Sequence, residues 1–298
     1  MTILALEIGP TRFAASALGE EVGADEVRQI PVPDRGAWER CRELLIEAAA
    51  GSEVTSLGIA SSGPIDMEAG VVAPAEVPEW RTGFAIVEAA RKLFPSAAVQ
   101  LGIDGVCLAL AEQNFGATNA VPDALVMSVS DHICGGVMMG GFIVVGRTGN
   151  GGHVGHVLIP GFDDPCSCGG RGCLEAVAGG AAVLRWARQQ GWTGASLLDL
   201  VEAAKVGEGI PAAAVGRAGT ALGRGISSVA ALLDHDFVVL GGTMAQAGPA
   251  LWKPLGEAVA THARLSFLTG LRVVPSELRD VGILVGAGVL GAAAAAQG

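Results

Sequence analysis

Short apolar runs alternate along the chain with stretches of helical spacing, and the alternation restarts near residue 124. The first half opens with the apolar run Ile3–Ile8, a Gly-Pro-Thr turn and the returning run Phe13–Leu18. The second half opens in the same way, with Ala124–Val129, a polar turn and Cys134–Met139. Strands that alternate with helices are typical of α/β folds. The pattern therefore predicts an α/β protein with two structurally similar halves of little sequence identity.

The other elements are predicted from the same periodicities. Helical spacing predicts helices over residues 37–50, 84–94, 105–115, 174–190, 211–233, 247–262 and from about 284. Apolar runs predict strands over residues 56–61, 97–101, 142–145, 237–240 and 271–274. We expect a lobe boundary within residues 116–122, with an N-terminal lobe of residues 1–116 and a C-terminal lobe of residues 117–283. The last helix, residues 284–298, is expected to pack back onto the N-terminal lobe.

Composition and charge narrow the functional classes. The chain has 298 residues, of which half are hydrophobic and 16% are charged, so its apolar content suffices for two folded domains. The formal net charge is −11 and lysines and arginines form no dense cluster, which argues against a nucleic-acid groove. The first residues lack the features of a signal peptide, and the most apolar stretch, Ile283–Ala296, is shorter than the roughly 20 residues of a membrane span. We therefore expect a cytoplasmic protein without a nucleic-acid or membrane partner.

The six cysteines fall into two groups. Three stand among apolar neighbours and are expected to be buried: Cys41, Cys107 and Cys134. The others follow a histidine at short spacing, in the order His156-x9-Cys166-x-Cys168-x4-Cys173. Three thiolates and one imidazole form the closed tetrahedral set of a structural zinc site, and soft thiolates disfavour Mg²⁺ and Ca²⁺. The alternative is a loop of reactive thiols without a metal. A zinc ion here would fix the residues that flank the loop, Glu175 among them.

The two segments around this motif carry a family resemblance. Gly152–His156 (Gly-His-Val-Gly-His) and Cys166–Glu175 (Cys-Ser-Cys-Gly-Gly-Arg-Gly-Cys-Leu-Glu) resemble the signature of the ROK family of sugar kinases and repressors. Weaker similarities lie in Leu4–Ala14, Gly58–Asp66, Asp104–Glu112 and Leu240–Thr243. The resemblance implies a two-lobed actin/hexokinase/Hsp70-like (RNase H-like) α/β fold with a structural zinc loop. No helix-turn-helix extension precedes the first strand, which favours the kinase branch.

The resemblance also implies a reaction and residue roles. The γ-phosphoryl group of Mg-ATP would pass to a hydroxyl of a hexose or N-acetylhexosamine, with Asp104 as the base; the alternative for Asp104 is a helix N-cap. The implied sugar contacts are Gly63, Pro64, His153, His156 and Glu175. The implied ATP contacts are Glu7, Gly9, Thr11, Gly135, Gly241 and Gly242. Glu175 also fits the first turn of a helix, where an acid complements the helix dipole. The family suggests a homodimer or homotetramer.

Several positions depart from the family pattern, some on the ATP side and others on the sugar side. They are Pro10, which lacks an N–H donor, Asp131 in the second hairpin, Ile103 and Val106 where the family has Asn, and His153 where it has Glu. Two further hypotheses therefore stay open. Beside the sugar kinase, one hypothesis is a catalytically degenerate relative that binds a sugar or small ligand as a sensor or assembly protein. The other is a structural protein whose zinc loop forms an oligomer interface.

One further motif is expected to have a structural role. The residues Gly286-Ala-Gly-Val-Leu-Gly291 match the spacing of a dinucleotide-binding loop, but no βαβ unit follows them. We expect these glycines to allow close helix packing instead.

Overall fold

The structure, a computed structural model, describes residues 2–18, 27–207 and 209–295. The strands are β1 (Thr2–Ile8), β2 (Arg12–Ala17), β3 (Arg28–Pro31), β4 (Val54–Ser61), β5 (Ile65–Asp66), β6 (Val71–Val72), β7 (Ala98–Ile103), β8 (Ala124–Val129), β9 (Ile133–Met139), β10 (Phe142–Ile143), β11 (Phe237–Gly241) and β12 (Arg272–Pro275). The α-helices are α1 (Ala37–Ala49), α2 (Ile86–Leu93), α3 (Asp104–Phe115), α4 (Leu174–Ala178), α5 (Gly180–Gln189), α6 (Leu197–Ala204), α7 (Gly209–Leu233), α8 (Pro249–His262) and α9 (Gly282–Ala295).

The chain divides by its internal contacts into two compact units. The first unit contains residues 1–119, 143–152 and 281–298, and the second contains residues 120–142 and 153–280. Each unit is built on a five-stranded sheet, with the order β3-β2-β1-β4-β7 in the first sheet and β10-β9-β8-β11-β12 in the second. In each sheet, the third strand pairs antiparallel with the second and parallel with the fourth. The two units therefore repeat the same pattern of antiparallel and parallel strand pairs, as the predicted structural duplication requires.

In the first unit, helices cover both faces of the sheet. Leu4, Leu6 and Ile8 of β1 belong to the core that includes α1, whereas Ala5, between them, packs with Ala287 of α9. Small residues face α9 because this helix lies very close to the sheet. A Cβ atom on Gly58 of β4 would lie 1.7 Å from the carbonyl oxygen of Ala287. Within the first unit, α9 therefore packs against the sheet, and its glycines permit close packing, as the sequence indicated.

In the second unit, the longest helix, α7, packs along α8. Glycines make the approach possible, since a Cβ atom on Gly219 or Gly223 would lie 2.5 Å from the carbonyl oxygen of Leu251 or Leu255. The core of this unit combines buried side chains of β8, β11 and the surrounding helices. Among the helices described above, none has both the length and the apolarity that crossing a bilayer would require.

Several parts of the sequence-based prediction need correction. The single helix predicted over residues 174–190 is wrong, because Gly179 adopts an extended conformation (φ −62°, ψ 142°) and separates α4 from α5. The edge strand β3, the short strands β5 and β6, and the helix α6 were not predicted. The prediction for the isolated cysteines is confirmed, since Cys41, Cys107 and Cys134 are all buried.

Candidate active site and metal centre

The carboxyl ends of three parallel strands meet at one edge of the first sheet. Ile8 of β1 pairs with Ser61 of β4, and Ser61 pairs with Ile103 of β7. The residues that follow these three strands therefore lie side by side. They are Gly9 after β1, Gly63 and Pro64 after β4, and Asp104 after β7. Ligands of open α/β sheets bind at such edges. The structure thus brings together the predicted residues of the first unit, which are far apart in sequence.

The first hairpin presents a buried acid at this edge. Glu7, in β1, has 7% of its surface exposed. The turn is closed by the N–H of Gly9, which donates to the carbonyl oxygen of Arg12 at 3.0 Å. The guanidinium of Arg12 lies 3.8 Å from the Glu7 carboxylate. The carbonyl oxygen of Thr11 accepts from Val32 N–H at 3.1 Å, which ties the turn to the chain after β3.

Asp104 is the first residue of α3 and is buried. Its Oδ1 accepts a hydrogen bond from the N–H of Gly105 at 2.6 Å. The N-cap of α3 is Ile103, so the alternative reading of Asp104 as the N-cap is wrong. Burial raises the pKa of the nearby Cys107 thiol above its usual range, and the charges of Asp104 and Glu7 raise that pKa further. Both carboxylates therefore act on the same buried region.

The loop after β4 is held by backbone hydrogen bonds. Ser62 N–H donates to the carbonyl oxygen of Ile8 at 2.9 Å, and Ala73 N–H donates to that of Pro64 at 2.9 Å. Gly63 has a φ of +79°, a conformation that favours glycine. The side chain of Asn150 binds the backbone of Ile65, the residue that follows Pro64. Sequence reasoning missed Asn150, because an asparagine between glycines is indistinguishable from an ordinary turn residue.

In the second unit, the turn between β8 and β9 is tied to two other elements. The N–H groups of Gly180 and Ala181, at the start of α5, donate to the carbonyl oxygens of Ser130 at 2.8 Å and Asp131 at 3.2 Å. The Ser130 hydroxyl oxygen accepts from Thr243 N–H at 3.0 Å. The break between α4 and α5 thus lets the amides of α5 reach this turn. Gly135, a predicted phosphate contact, lies buried in β9 and pairs with Met127 of β8.

A cavity of about 490 Å³ opens where β11 and β12 end. It is lined by Gly241, Gly242, Ala245, Gln246, Pro275, Ser276 and Asp280. Gly242 has a φ of +89°, and a Cβ atom there would lie 2.5 Å from the carbonyl oxygen of Val129. Only glycine fits this position without displacing the backbone. Two of the glycines predicted to contact ATP, Gly241 and Gly242, therefore lie together at the mouth of a cavity within the second unit.

The predicted metal ligands converge on one point. The ligand atoms of His156, Cys166, Cys168 and Cys173 all lie within 4.8 Å of one another. The Sγ atoms of Cys168 and Cys173 are 3.8 Å apart, as are the Cys166 Sγ and the His156 Nδ1. Zinc–thiolate bonds of about 2.3 Å in a tetrahedron give a sulfur–sulfur distance of about 3.8 Å. The donor set and its spacing fit a structural zinc ion.

The protonation of these groups in the absence of metal differs from one to the next. A backbone N–H bond from Gly170 lowers the pKa of the exposed Cys168 thiol. Burial raises the pKa of Cys173 to about 12. Burial, followed by the neighbouring His153, lowers the pKa of His156, which favours the neutral imidazole that binds metals. Binding of zinc would deprotonate the thiols, so metal and proton binding are linked here.

Arg217 and Arg171 each pair with an aspartate of the zinc loop, residues 156–173. Arg217 of α7 donates to the Asp164 carboxylate at 2.6 Å and lies 4.9 Å above the ring of Phe162. Arg171 binds the Asp163 carboxylate at 2.7 Å, but both side chains of this pair are exposed. The Arg217 pair is mostly buried, so it should contribute more than the surface pair.

Glu175 connects the zinc loop to the second hairpin. It lies in the first turn of α4, whose N-cap is the metal ligand Cys173, and its Oε2 accepts from Ile133 N–H at 2.7 Å. The carboxylate packs against Gly155, where a Cβ atom would lie 3.4 Å from Oε2. His153 is exposed, and its ring centroid lies 5.9 Å from that of His156. The sugar contacts predicted in the second unit thus cluster beside the metal site.

Comparisons with known proteins identify relatives of several activities. A glucokinase of Thermotoga maritima is 29% identical over 97% of this chain and 97% of that protein. An N-acetylmannosamine kinase of Escherichia fergusonii is 30% identical, covering 82% of this chain and 84% of that protein. The DNA-binding transcriptional dual regulator NagC of Escherichia coli K12 is 29% identical, covering 88% of this chain and 68% of that protein.

Solved structures share the architecture. The ROK hexokinase of Thermus thermophilus superposes with a TM-score of 0.80 at 29% identity, with complete coverage of both chains. A ROK glucokinase of Streptomyces griseus, in complex with glucose and AMPPNP, superposes with a TM-score of 0.86 at 22% identity over 98% of this chain and all of that chain. The predicted two-lobed actin-like α/β fold is thereby confirmed. The ROK family model matches residues 3–298, and the chain belongs to the ROK family.

Proposed function

We propose that this chain is an ATP-dependent sugar kinase that transfers the γ-phosphoryl group to a hydroxyl of a hexose or N-acetylhexosamine. The observation that carries the proposal is the alignment of Glu7, Gly63 and Asp104 at the carboxyl ends of neighbouring parallel strands. Phosphoryl transfer depends mainly on positioning and on charge neutralisation, and this edge supplies fixed acids and a fixed loop.

Asp104 is the base in this proposal. Its carboxylate accepts the proton of the sugar hydroxyl while the hydroxyl oxygen attacks the γ-phosphorus. The bond from that phosphorus to the β–γ bridging oxygen breaks, and ADP leaves. The bond from Gly105 N–H fixes the orientation of the carboxylate at the start of a helix. Mg²⁺, bound with ATP, would neutralise phosphate charge, with Glu7 as its contact through water, and Gly9 and Thr11 would contact the phosphates.

The other predicted residues bind the two substrates. Gly241 and Gly242 open onto the cavity of about 490 Å³, which we assign to the adenosine side. Gly135 lies in the hairpin of β8 and β9, whose turn binds the N–H of Thr243, the residue after Gly242. Glu175, His153 and His156 are the proposed sugar contacts of the second unit, and Gly63 and Pro64 are those of the first unit. Carboxylates and imidazoles suit this task because they accept or donate hydrogen bonds to hydroxyls.

Zinc has a structural role in this proposal. Four protein ligands close the tetrahedron, so no position remains for a reacting water molecule. The ligand Cys173 caps the helix that carries Glu175, and the ligand His156 ends the segment that begins with His153. Residues that must bind a sugar in a defined orientation are thereby attached to a rigid centre.

The relatives support the substrate class. Kinases among them that match over 97% and 82% of this chain are named for glucose and N-acetylmannosamine, and repressors that match over 88% are named for N-acetylglucosamine. We extend the proposal to a homodimer or homotetramer in the cytoplasm. We also propose that it has no nucleic-acid partner, which the net charge of −11 supports. Light scattering of the purified protein measures the oligomeric state.

A second candidate is a sugar-binding sensor without turnover. Amides at the start of a helix commonly bind phosphate, but those of Gly180 and Ala181 are bound to the carbonyl oxygens of Ser130 and Asp131. Pro10 offers no N–H in the first hairpin. These features reduce the donors available to ATP phosphates. The regulator NagC is among the relatives.

A coupled assay of ADP release separates the candidates. We expect Mg-ATP with at least one sugar from a panel of hexoses and N-acetylhexosamines to give ADP above background. Asp104→Asn should lower kcat by about 10²–10⁴-fold, with sugar affinity by calorimetry changed little. The matched control is Asp34→Asn, an exposed aspartate of the same unit. Saturable sugar binding without any turnover would favour the sensor and refute the kinase.

A further inference from the structure

Residues 143–152 form an excursion of the chain onto the first unit. The chain leaves the second unit after residue 142 and returns to it at residue 153. Between these points it packs on the segment that follows Gly63 and Pro64. Met67 N–H donates to the carbonyl oxygen of Thr148 at 3.2 Å. Residues 143–152 therefore contact the chain just after the sugar-side loop and continue directly into His153.

Asn150 makes the central contact of this excursion. Its Oδ1 accepts from Ile65 N–H at 2.8 Å, and its Nδ2 donates to the carbonyl oxygen of Ile65 at 2.7 Å. The same Nδ2 donates to the hydroxyl of Thr148 at 2.9 Å. One side chain thus satisfies both backbone groups of Ile65, as a neighbouring strand would. Among natural side chains, only an amide offers a donor and an acceptor in this geometry.

The fit around Asn150 leaves little freedom. Gly149, with a φ of +93°, would place a Cβ atom 2.8 Å from the Cβ of Met67 and 3.1 Å from the Cδ1 of Ile65. The chain therefore lies flat on residues 65–67 because the residue before Asn150 is a glycine. Ile65 is buried and begins β5. Asn150 consequently anchors the exit of the loop that carries Gly63 and Pro64.

We propose that Asn150 is a positioning residue for sugar binding. It fixes the backbone of Gly63 and Pro64 through Ile65 without touching the sugar itself. Its contacts with Ile65 and Thr148 lie within the first unit. The inference rests on the proposed function, since it assigns a role at the same sugar site. Loss of either hydrogen bond should weaken sugar binding and leave nucleotide binding unchanged.

The test compares Asn150→Ala and Asn150→Asp with the control Asn119→Ala, an exposed asparagine of the same unit. Asn150→Asp keeps the acceptor for Ile65 N–H. It replaces the donor to the Ile65 carbonyl oxygen with a carboxylate oxygen, so these two oxygens repel each other. For both variants we expect at least a tenfold rise in the sugar dissociation constant by calorimetry. The Mg-ATP dissociation constant and the thermal midpoint should stay close to those of the wild type.

Each outcome decides the inference. If the wild type binds sugar and the Asn150 variants bind it equally well, the inference fails and the proposed function stands. A parallel loss of sugar affinity, nucleotide affinity and thermal stability would indicate a general structural role and overturn the positioning role. Should Asn150→Ala not fold, Asn150→Asp decides alone, because it retains one of the two bonds. If the wild type binds no sugar, the proposed function fails first and the inference falls with it.

Discussion

Two arginine–aspartate pairs on the zinc loop differ in burial and in the aromatic contacts of the arginine, which allows a comparative test of what holds the loop. Arg217–Asp164 and Arg171–Asp163 have nitrogen–oxygen distances of 2.6 and 2.7 Å. In the first pair, 19% and 27% of the side-chain surfaces are exposed; in the second, 59% and 79%. We predict that Arg217→Met destabilises the second unit strongly, whereas Arg171→Met has an effect close to the limit of detection.

The magnitude for Arg217 follows from its contacts. A hydrogen bond to a charged group contributes about 1.5–3 kcal/mol. The guanidinium also lies 4.9 Å above the ring of Phe162 and 5.9 Å from that of Trp186, and such contacts contribute about 0.5–2 kcal/mol. Arg217→Met should therefore cost about 2–5 kcal/mol. Methionine preserves much of the packing of the arginine stem, so the loss reflects the polar contacts.

The assay is urea denaturation followed by tryptophan fluorescence, with Trp186 close to the perturbed site. A second readout is the rate of zinc release to a chromogenic chelator, which should rise in Arg217→Met because the loop is less constrained. The reasoning is refuted if both variants lose the same stability, or if Arg217→Met releases zinc as slowly as the wild type.

Three further predictions concern the metal, the sugar acid and pH. Cys168→Ser should lower bound zinc below one equivalent per chain and reduce thermal stability; full zinc content by mass spectrometry would contradict the proposed ligand set. Gly179→Ala should weaken sugar binding at least tenfold, because its Cβ atom would lie 2.2 Å from the Glu175 carboxylate and 2.7 Å from its carbonyl oxygen. The control Gly256→Ala meets nothing within 4 Å in α8, and unchanged or higher stability is expected there. Burial lowers the pKa of His235, so its neutral form supports folding above pH 6.5 and that stability is lost as the pH falls. The thermal midpoint should drop less between pH 7.5 and 5.5 in His235→Gln than in the wild type; equal drops would exclude His235 as the cause.

The hairpins and the α/β alternation were predictable because they depend on local periodicity. Elements set by distant contacts were not. The helix predicted over residues 174–190 breaks at Gly179 because the amides of Gly180 and Ala181 bind carbonyl oxygens of the turn near residue 130. The helix α6 had a local signal that was overlooked. Ser196 and Asp199 form a capping box at its start.

In the candidate site, too, residues with local signals were predictable and residues with distant partners were not. The metal ligands were predictable, since spacing and ligand chemistry suffice to recognise four donors within one short segment. Asn150 and Arg217 were not, because their partners Ile65 and Asp164 lie 85 and 53 residues away. No pattern along the chain links such pairs. Positions that hold a site together from a distance therefore require the folded structure.

The claim that this chain is a kinase depends most directly on nucleotide binding. Calorimetric titration of a Mg²⁺ complex of a non-hydrolysable ATP analogue should give saturable binding of one molecule per chain. Heat indistinguishable from dilution, both with and without a bound sugar, would contradict the account.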